Sequence, residues 1–284
     1  MSKRNSQANK SAARERLRAE RERQAKKDKA RRQVVVGVSV VAGLAVVAGI
    51  SYVVMEMNKP SHWQSVKDDK AKVVTPKNTS GENGTTVVIG KDTAKKTLKL
   101  YEDSRCPICA SFEQTVGSTI AKDVADGKYK IQYVGASFID GDNLGADKPS
   151  IGNRGEGSKN ALSALGAALN VSPDAFLDYK SALYSAKFHP DEADDKFKDD
   201  SYLIKVADSV KELKGNKEFQ KAVEDGTYDA WALQMSKSFD DNKDDVTGTP
   251  TLVMDGKKIT GGDGKNAPMT VDEFNTAMTT ALKS

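Results

Sequence analysis

One segment restricts how the rest of this sequence can be arranged: residues 34–55 form a run of 22 residues without a charge. As an α-helix rising about 1.5 Å per residue, this run would be about 33 Å long, which is enough to cross a bilayer. A cleaved signal peptide is the alternative, but its apolar region is usually only about 7 to 15 residues long and ends at small residues. This run ends in Tyr52, Val53, Val54 and Met55. We therefore predict one uncleaved N-terminal transmembrane helix, a signal anchor.

The basic residues of the chain are concentrated before this run. Residues 1–33 carry 13 Lys and Arg and 4 acidic residues, whereas the whole chain has a net charge of only +4. The positive-inside rule predicts a single-pass protein of the cell membrane, with a basic cytoplasmic tail and an extracytoplasmic C-terminal domain. Positive charge confined to a tail argues against a nucleic-acid-binding fold. A basic helix over residues 11–32 that binds RNA or anionic lipid is the alternative for this tail.

Residues 56–84, which follow the predicted anchor, are polar and interrupted by Pro and Gly, so we expect a flexible tether. From residue 85 the pattern changes to short β-type runs around one amphipathic helix, at 85–90, 97–102, 106–125 and 128–138. Strand, helix, strand is the unit that builds a parallel sheet, with the helix as the crossover. The residues that share one face of this helix are Ile108, Phe112, Val116 and Ile120.

The second half of the chain changes character again. Residues 150–245 contain several helix patterns and no comparable strand run. A β-hairpin with the turn Asp255-Gly256 and a last capped helix follow. The mixed segments on either side of the helices together have the size of a compact unit. We therefore expect an α/β domain over residues 85–284, with an all-helical subdomain inserted at about 137–245.

Both cysteines of the chain lie in one motif, Arg105-Cys106-Pro107-Ile108-Cys109, between a predicted strand and a predicted helix. Pro107 suits the first helical position, because its missing N–H is one that the first turn would leave unpaired, and this makes Cys106 the N-cap. A thiolate there would accept from backbone N–H groups and lie at the positive end of the helix dipole, with Arg105 beside it as a stabilising charge. Cys109 is expected to be buried, protonated when reduced, and suited to act as a resolving thiol.

Two other interpretations of these cysteines stay open. One is metal binding, but a single CxxC motif cannot close a tetrahedral zinc site, and the only histidines of the chain are His62 and His189. The other is a purely structural disulfide, although closing so short a loop would remove little chain entropy. We expect redox chemistry at Cys106 and Cys109 without a metal or another cofactor, since the reactive group is the disulfide of the pair.

The order of strand, CxxC, helix, helical insertion and hairpin resembles the thioredoxin superfamily, and within it the DsbA-like thiol–disulfide oxidoreductases. The resemblance covers about residues 85–284, includes the segment VTGTPT at 246–251, and implies a thioredoxin-like fold. By this resemblance, Pro250 corresponds to the cis-proline that faces the two cysteines, and Thr249 to the residue whose backbone pairs with a bound substrate. The resemblance also assigns the catalytic pair and the dipeptide between them, which are Cys106, Cys109, Pro107 and Ile108.

This sequence departs from the resemblance at two places. Many members carry a buried acid six residues before the first cysteine, where this chain has Leu100. Glu102 and Asp103 are therefore the nearby candidates for the proton acceptor of Cys109. The dipeptide also lacks the histidine of DsbA, which removes one contact that stabilises the thiolate, so the sequence leaves the redox direction open.

The resemblance, the predicted anchor and the single pair of cysteines indicate a membrane-tethered extracytoplasmic enzyme that exchanges disulfides with exported proteins. The chain has no further cysteine to pass electrons on, so a separate membrane redox partner must reset the disulfide. For an oxidase, the resemblance implies a quinone-linked partner of the DsbB or vitamin K epoxide reductase type. A reductase or isomerase of the same fold is one alternative, and a redox-inactive binding or assembly module is another.

Overall fold

A computed structural model of the chain describes residues 63, 66, 73–141 and 155–283. The basic tail and the membrane anchor that the sequence predicts, at 1–33 and 34–55, lie outside these residues, as does part of the predicted tether. Among the described residues, none of the helices combines the length and the apolar character needed to cross a membrane.

Within the described residues, five strands form one mixed sheet. Their bounds are Val87–Ile89 (β1), Thr97–Asp103 (β2), Lys130–Ala136 (β3), Thr251–Met254 (β4) and Lys257–Ile259 (β5). Their order in the sheet is β1-β3-β2-β4-β5. β2 and β3 run parallel, whereas the other three neighbouring pairs are antiparallel. A mixed sheet together with helices confirms the predicted α/β class.

The connection from β2 to β3 is helical, because parallel neighbours need a crossover. Its elements are α1 (Pro107–Phe112), a π-helical segment (Glu113–Gly117) and α2 (Ser118–Asp126). Of the residues predicted to share a buried face, three are buried in the core, namely Phe112, Val116 and Ile120. Ile108 is different, with 54% of its surface exposed. It lies in the first turn, where Cys109 rather than Ile108 points inward, so the four-residue spacing misplaces it.

Every element between β3 and β4 in the described residues is helical. In chain order these are 3-10 turns and helices: Phe138–Asp140, α3 (Gly157–Val171), α4 (Pro173–Tyr184), Lys196–Lys198, α5 (Asp200–Ala207), α6 (Lys217–Glu224) and α7 (Asp229–Asp240). α3 is central, since α4, α6 and α7 all pack against it. Gly166 of α3 is needed for this packing, because a Cβ there would lie 2.8 Å from the ring of Trp231.

The chain ends in the predicted hairpin and helix. The turn between β4 and β5 has positive φ at both Asp255 (52°) and Gly256 (73°), as a tight two-residue turn requires. α8 (Val271–Lys283) begins after Thr270, whose hydroxyl accepts from the N–H of Glu273 at 3.3 Å. This is the predicted capping contact, and it fixes α8 at its first turn.

The predicted tether differs from the structure over residues 73–84. The side chain of Asn78 donates to the carbonyl of Leu169 at 3.0 Å, and Trp231 Nε1 donates to the carbonyl of Gly84 at 2.8 Å. Trp63 is also buried, with 3% of its surface exposed. The described part of this segment is therefore held on the helical block. Composition missed this, because the contacts depend on backbone carbonyls and on partners far along the chain.

Candidate active site

The two cysteines lie where β2 ends and α1 begins. Cys106 is the N-cap of α1 with an extended backbone (φ −71°, ψ 117°), and Pro107 is the first helical residue. The Cys106 Sγ accepts a hydrogen bond from the backbone N–H of Cys109 at 3.4 Å. Cys106 is 6% exposed and Cys109 is fully buried. One sulfur thus lies at the helix N-terminus, and the other lies behind it.

The two thiols differ in acidity. The pKa of Cys106 is lowered to about 6, first by a hydrogen bond from the Cys109 thiol and then by the N–H of Cys109, by Thr249 and by the N–H of Ile108, while burial opposes these effects. The pKa of Cys109 is raised well above its ordinary value, first by burial and then by Cys106 in front of it. At neutral pH, Cys106 is therefore a thiolate and Cys109 a thiol. Because the thiolate is the nucleophilic form of a cysteine, Cys106 is the candidate for the reactive sulfur.

The loop before β4 faces this sulfur. The peptide bond between Thr249 and Pro250 is cis. The Cys106 Sγ lies 3.6 Å from the carbonyl oxygen of Thr249. Asn242 closes the start of the loop, since its side chain accepts from the N–H of Val246 and donates to the Val246 carbonyl, both at 2.9 Å. The fold therefore holds the backbone of Thr249 next to Cys106.

A buried group of three charges lies near the cysteines, and we call it the Glu102 cluster: Glu102, Lys180 and Glu113. Lys180 Nζ lies 3.1 Å from Glu102 Oε2 and 2.6 Å from Glu113 Oε2. Burial raises the pKa of Glu102 to about 7 against the opposing effect of Lys180, and the charges of Glu113 and Cys106 raise it further. Glu102 in turn helps to raise the pKa of Cys109. The carboxylate is thus in electrostatic contact with both cysteines.

The π-helical segment after α1 makes room for this cluster. A Cβ on Gly117 would lie 2.5 Å from the carboxyl carbon of Glu113. Glycine at this position therefore lets the Glu113 carboxylate lie against the backbone and reach Lys180. A single wider turn inside a helix often marks a functional site, and here it directs an acidic side chain into the protein.

Asp103, the second candidate for the proton acceptor, is occupied by other donors. Its carboxylate accepts from the hydroxyl of Ser158 at 2.6 Å and from the N–H groups of Arg105 and Ile139 at 3.0 and 3.2 Å. Burial, followed by the charge of Asp140, raises its pKa to about 7. These hydrogen bonds link the end of β2 to the start of α3, so the role of Asp103 is structural. Of the two candidates, Glu102 is the one with the electrostatic link to the cysteines.

Arg105 is placed differently from the expectation. Its guanidinium is buried and lies 2.7 Å from Asp140 and 3.2 Å from Asp195. The groups that most strongly lower the pKa of Cys106 are instead uncharged groups of α1 and of the Thr249 loop. Two carboxylates lie against the charge of Arg105, and its direct stabilisation of the thiolate stays a prediction. Adjacency in sequence did not indicate the direction of a long side chain.

Sequence reasoning missed Lys180 and Glu113. A signal for Lys180 was present, because it lies four residues from both Phe176 and Tyr184 on the buried face of α4, where a lysine is unusual. Glu113 gave no such signal, since its inward direction depends on the π-helical turn. Among the residues that the structure describes, three or more His, Cys, Asp or Glu side chains are nowhere grouped so that they could hold a metal ion.

The sequence profile of a protein family described as thioredoxin matches residues 82–279. This match spans more than half of the 284 residues, and the chain belongs to that family. The thioredoxin-like fold expected from the sequence is thereby confirmed.

Individual relatives agree with this assignment. The chain is similar to disulfide bond formation protein D of Bacillus subtilis (strain 168), with 27% identity over 174 residues that cover 61% of this chain and 68% of the relative. It is also similar to the structure of oxidised BdbD from Bacillus subtilis, with a TM-score of 0.52, 22% identity, and coverage of 75% of this chain and 100% of the other. MdbA, a thiol–disulfide oxidoreductase from Actinomyces oris, gives a TM-score of 0.53, 18% identity, and coverage of 77% and 95%. The two structures show the shared fold, and the family and the sequence relative confirm the predicted class, a thiol–disulfide oxidoreductase.

Proposed function

We propose that this protein is a membrane-tethered extracytoplasmic oxidoreductase that exchanges disulfides with exported proteins through Cys106 and Cys109. One observation carries the proposal: a cysteine at a helix N-cap, with its pKa lowered to about 6, lies 3.6 Å from the carbonyl of Thr249 in the loop with a cis peptide bond. A stable thiolate beside the backbone of Thr249 is suited to attack a disulfide in an extended chain.

In the first step, the Cys106 thiolate attacks one sulfur of a substrate disulfide. A bond forms between Cys106 and that sulfur, the substrate disulfide breaks, and the other substrate sulfur leaves as a thiolate. Cys109 holds its proton during this step, because its pKa is raised well above the ordinary value. The enzyme and the substrate are then joined by a mixed disulfide.

In the second step, Cys109 resolves the mixed disulfide. Its proton passes to the Glu102 carboxylate, whose pKa of about 7 suits both accepting and returning a proton near neutral pH. The Cys109 thiolate attacks the Cys106 sulfur, the Cys106–Cys109 disulfide forms, and the substrate leaves as a thiolate. The reverse sequence oxidises a dithiol substrate, and Glu102 then returns the proton to Cys109. Lys180 holds Glu102 in place at 3.1 Å in both directions.

The substrate is proposed to lie along the Thr249 loop. The backbone of Thr249 would pair with an extended segment in the manner of an added strand, while Pro250 shapes the loop beside the sulfur. Pro107 and Ile108 form the surface between the cysteines, and the exposed Ile108 side chain offers an apolar contact to the substrate. Pairing through backbone groups tolerates many sequences, so we expect a broad range of exported proteins as substrates.

The membrane part of the proposal rests on the sequence. The uncharged run at 34–55 and the basic residues before it favour an anchor with an extracytoplasmic domain. The Bacillus subtilis relative is named disulfide bond formation protein D, which favours the oxidative direction. An oxidase must be reoxidised after each turnover, and we propose a quinone-linked membrane enzyme as the partner. Neither a metal nor another cofactor is needed for the exchange itself.

Substrate trapping in cells tests this function. In Cys109→Ala no internal thiol resolves the mixed disulfide, so exported proteins should accumulate on Cys106 as higher-mass species that disappear on reduction. Cys106→Ser is the matched control and should trap nothing. Purified protein should also reduce insulin and oxidise a reduced protein, and both activities should be lost in Cys106→Ser. A folded Cys109→Ala variant that traps nothing would contradict the proposal and would favour a redox-inactive binding module.

A further inference from the structure

Arg105, the residue before the reactive cysteine, is among the largest fully buried side chains of the described chain. Its Nη1 donates to Asp140 Oδ1 at 2.7 Å, and its Nη2 donates to the Glu192 carbonyl at 2.7 Å. Its Nε lies 3.2 Å from Asp195 Oδ1. A guanidinium presents five N–H donors in fixed directions, so it can join several segments at once. We call this group the Arg105 clamp: Arg105, Asp140, Asp195 and the carbonyl of Glu192.

The two carboxylates of the clamp also hold the start of α3. The first N–H groups of a helix lack partners within the helix and need acceptors from outside. The N–H groups of Glu156 and Gly157 donate to the Asp195 carboxylate at 3.0 and 3.1 Å. The N–H groups of Ser158 and Lys159 donate to the Asp140 carboxylate at 3.0 and 2.9 Å. One arginine thus connects the active-site motif, the Phe138–Asp140 turn, the start of α3 and the loop at 191–195.

The backbone around the clamp leaves no room for larger residues. A Cβ on Gly155 would overlap Arg105 Nη1, and a Cβ on Gly157 would overlap Asp195 Oδ1. At both positions glycine is required for close approach of the backbone to a charged side chain. The guanidinium therefore fits closely between its partners.

The turn that carries Asp140 also forms a wall of the active site. Ile139 is buried in the same apolar cluster as the two cysteines. Phe138 packs against this cluster and is partly exposed. The ring of Phe138 also stacks on Phe239, with 5.9 Å between the ring centroids. Two contacts hold the turn that forms this wall: Arg105 Nη1 donates to Asp140 Oδ1, and the N–H of Ile139 donates to the Asp103 carboxylate.

We propose that Arg105 is a positioning residue, whose clamp holds the wall formed by Phe138 and Ile139 where an extended protein substrate can reach Cys106. This inference rests on the exchange with protein substrates proposed above. The two carboxylates offset the charge of the guanidinium, so its effect is on the shape of the site rather than on the acidity of Cys106. A small thiol such as glutathione does not need the wall. The clamp should therefore affect exchange with proteins and spare exchange with glutathione.

The test compares two rates in the anchored full-length protein. Asp195→Asn keeps the shape of the side chain and removes one charge from the clamp, and the Asp195 side chain is 17% exposed, so we expect the variant to fold. Exchange with a reduced, unfolded protein should slow at least about fivefold, since a misplaced substrate costs rate, while exchange with glutathione should stay within about twofold. Arg105→Lys keeps the positive charge but loses the N–H donors that the guanidinium presents in fixed directions. It should slow exchange with the protein substrate at least as much, with the Cys106 pKa unchanged.

Asp123→Asn is the matched control. Asp123 is a buried carboxylate that accepts from Lys128 Nζ at 2.5 Å outside the clamp, and its loss should leave the ratio of the two rates unchanged. If both rates fall together in Arg105→Lys and the pKa of Cys106 rises, Arg105 acts on the thiolate itself rather than on the shape of the site, and the proposal is wrong. If thermal stability falls in Asp195→Asn but the ratio of rates does not change, the clamp is only structural and the proposal is also wrong. A wild-type protein that exchanges with neither substrate would instead contradict the proposed function.

Discussion

The Glu102 cluster and the Arg105 clamp begin three residues apart at the end of one strand, and each consists of a buried cation between two carboxylates. They differ in which group lies next to the cysteines. In the Glu102 cluster it is a carboxylate, and its Oε1 has no hydrogen-bond partner among the described residues. In the clamp it is the arginine, but only by its place in the chain, since its guanidinium lies against Asp140 and Asp195. The Asp140 carboxylate is filled by donors from Arg105, Ser158 and Lys159.

This difference separates two uses of buried charge. A carboxylate with a free oxygen and a pKa of about 7 can take up and return a proton. A carboxylate filled by donors fixes the segments that donate to it. We infer that the Glu102 cluster serves the chemistry of Cys109, and that the clamp serves the shape of the site around Cys106.

The largest expected effect is on stability, in Lys180→Met. This change leaves two carboxylates, Glu102 and Glu113, buried without their cation, which should lower the free energy of unfolding by about 3 to 5 kcal/mol. Lys180 opposes the raised pKa of Glu102, so its loss raises that pKa further above the unfolded value, and stability should be lost as the pH rises and should recover toward pH 5. Denaturant unfolding at pH 5 and pH 8 measures this. The control Lys128→Met removes a cation that is 52% exposed, and a loss as large there would show that burial is not the cause.

The next largest effect is on the second chemical step, in Glu102→Gln. The amide keeps the shape but cannot accept a proton, so resolution of a mixed disulfide by Cys109 should slow about 10-fold to 100-fold at pH 7. Rapid quenching of the mixed disulfide with a cysteine-containing peptide measures the rate. Glu113→Gln is the matched control in the same cluster and should have a smaller effect. Equal slowing in both variants would mean that the cluster acts only as a structural unit.

The smallest expected effects come from two glycines, each of which lies against a carboxylate of one of the two charged groups. Gly117→Ala should displace the Glu113 carboxylate and Gly157→Ala the Asp195 carboxylate, each at a cost of about 1 to 3 kcal/mol in stability. Gly117→Ala should slow resolution, whereas Gly157→Ala should slow exchange with proteins relative to glutathione. Gly262→Ala is the control, since its Cβ would meet only an ordinary contact at 3.8 Å. If the two variants had the same kinetic effect, the distinction between the two charged groups would fail.

Local patterns in the sequence predicted much of this architecture. The strand before the CxxC motif, the N-cap at Cys106 and the tight turn at Asp255 and Gly256 all depend on residues close together in the chain, so the sequence could reveal them. The position of Cys109 behind Cys106 follows from one helical turn. The domain boundary could not be found in this way, because the contacts of Asn78 reach α3 across 91 residues.

The charged groups of the site depend on contacts of the same long range. Lys180 meets Glu102 across 78 residues, and Arg105 meets the Glu192 carbonyl across 87 residues. No local sequence pattern indicates which of several carboxylates an arginine side chain will contact. The expectation for Arg105 rested on its position next to Cys106 in the sequence and stays a prediction. Glu102 was a candidate because it is close to the cysteines in the sequence, and the structure adds its electrostatic link to Cys109.

The pH dependence of alkylation at each cysteine of the reduced protein tests the central claim most directly. Only the thiolate reacts, so the rate at Cys106 should rise with pH and reach half of its maximum near pH 6, because the pKa of Cys106 is lowered to about 6. Cys109 should stay unmodified across this range, because its pKa is raised well above the ordinary value. Mass spectrometry of quenched samples separates the two sites. Equal rates at the two cysteines, or a midpoint for Cys106 near the ordinary value of about 8.5, would contradict the roles assigned to them.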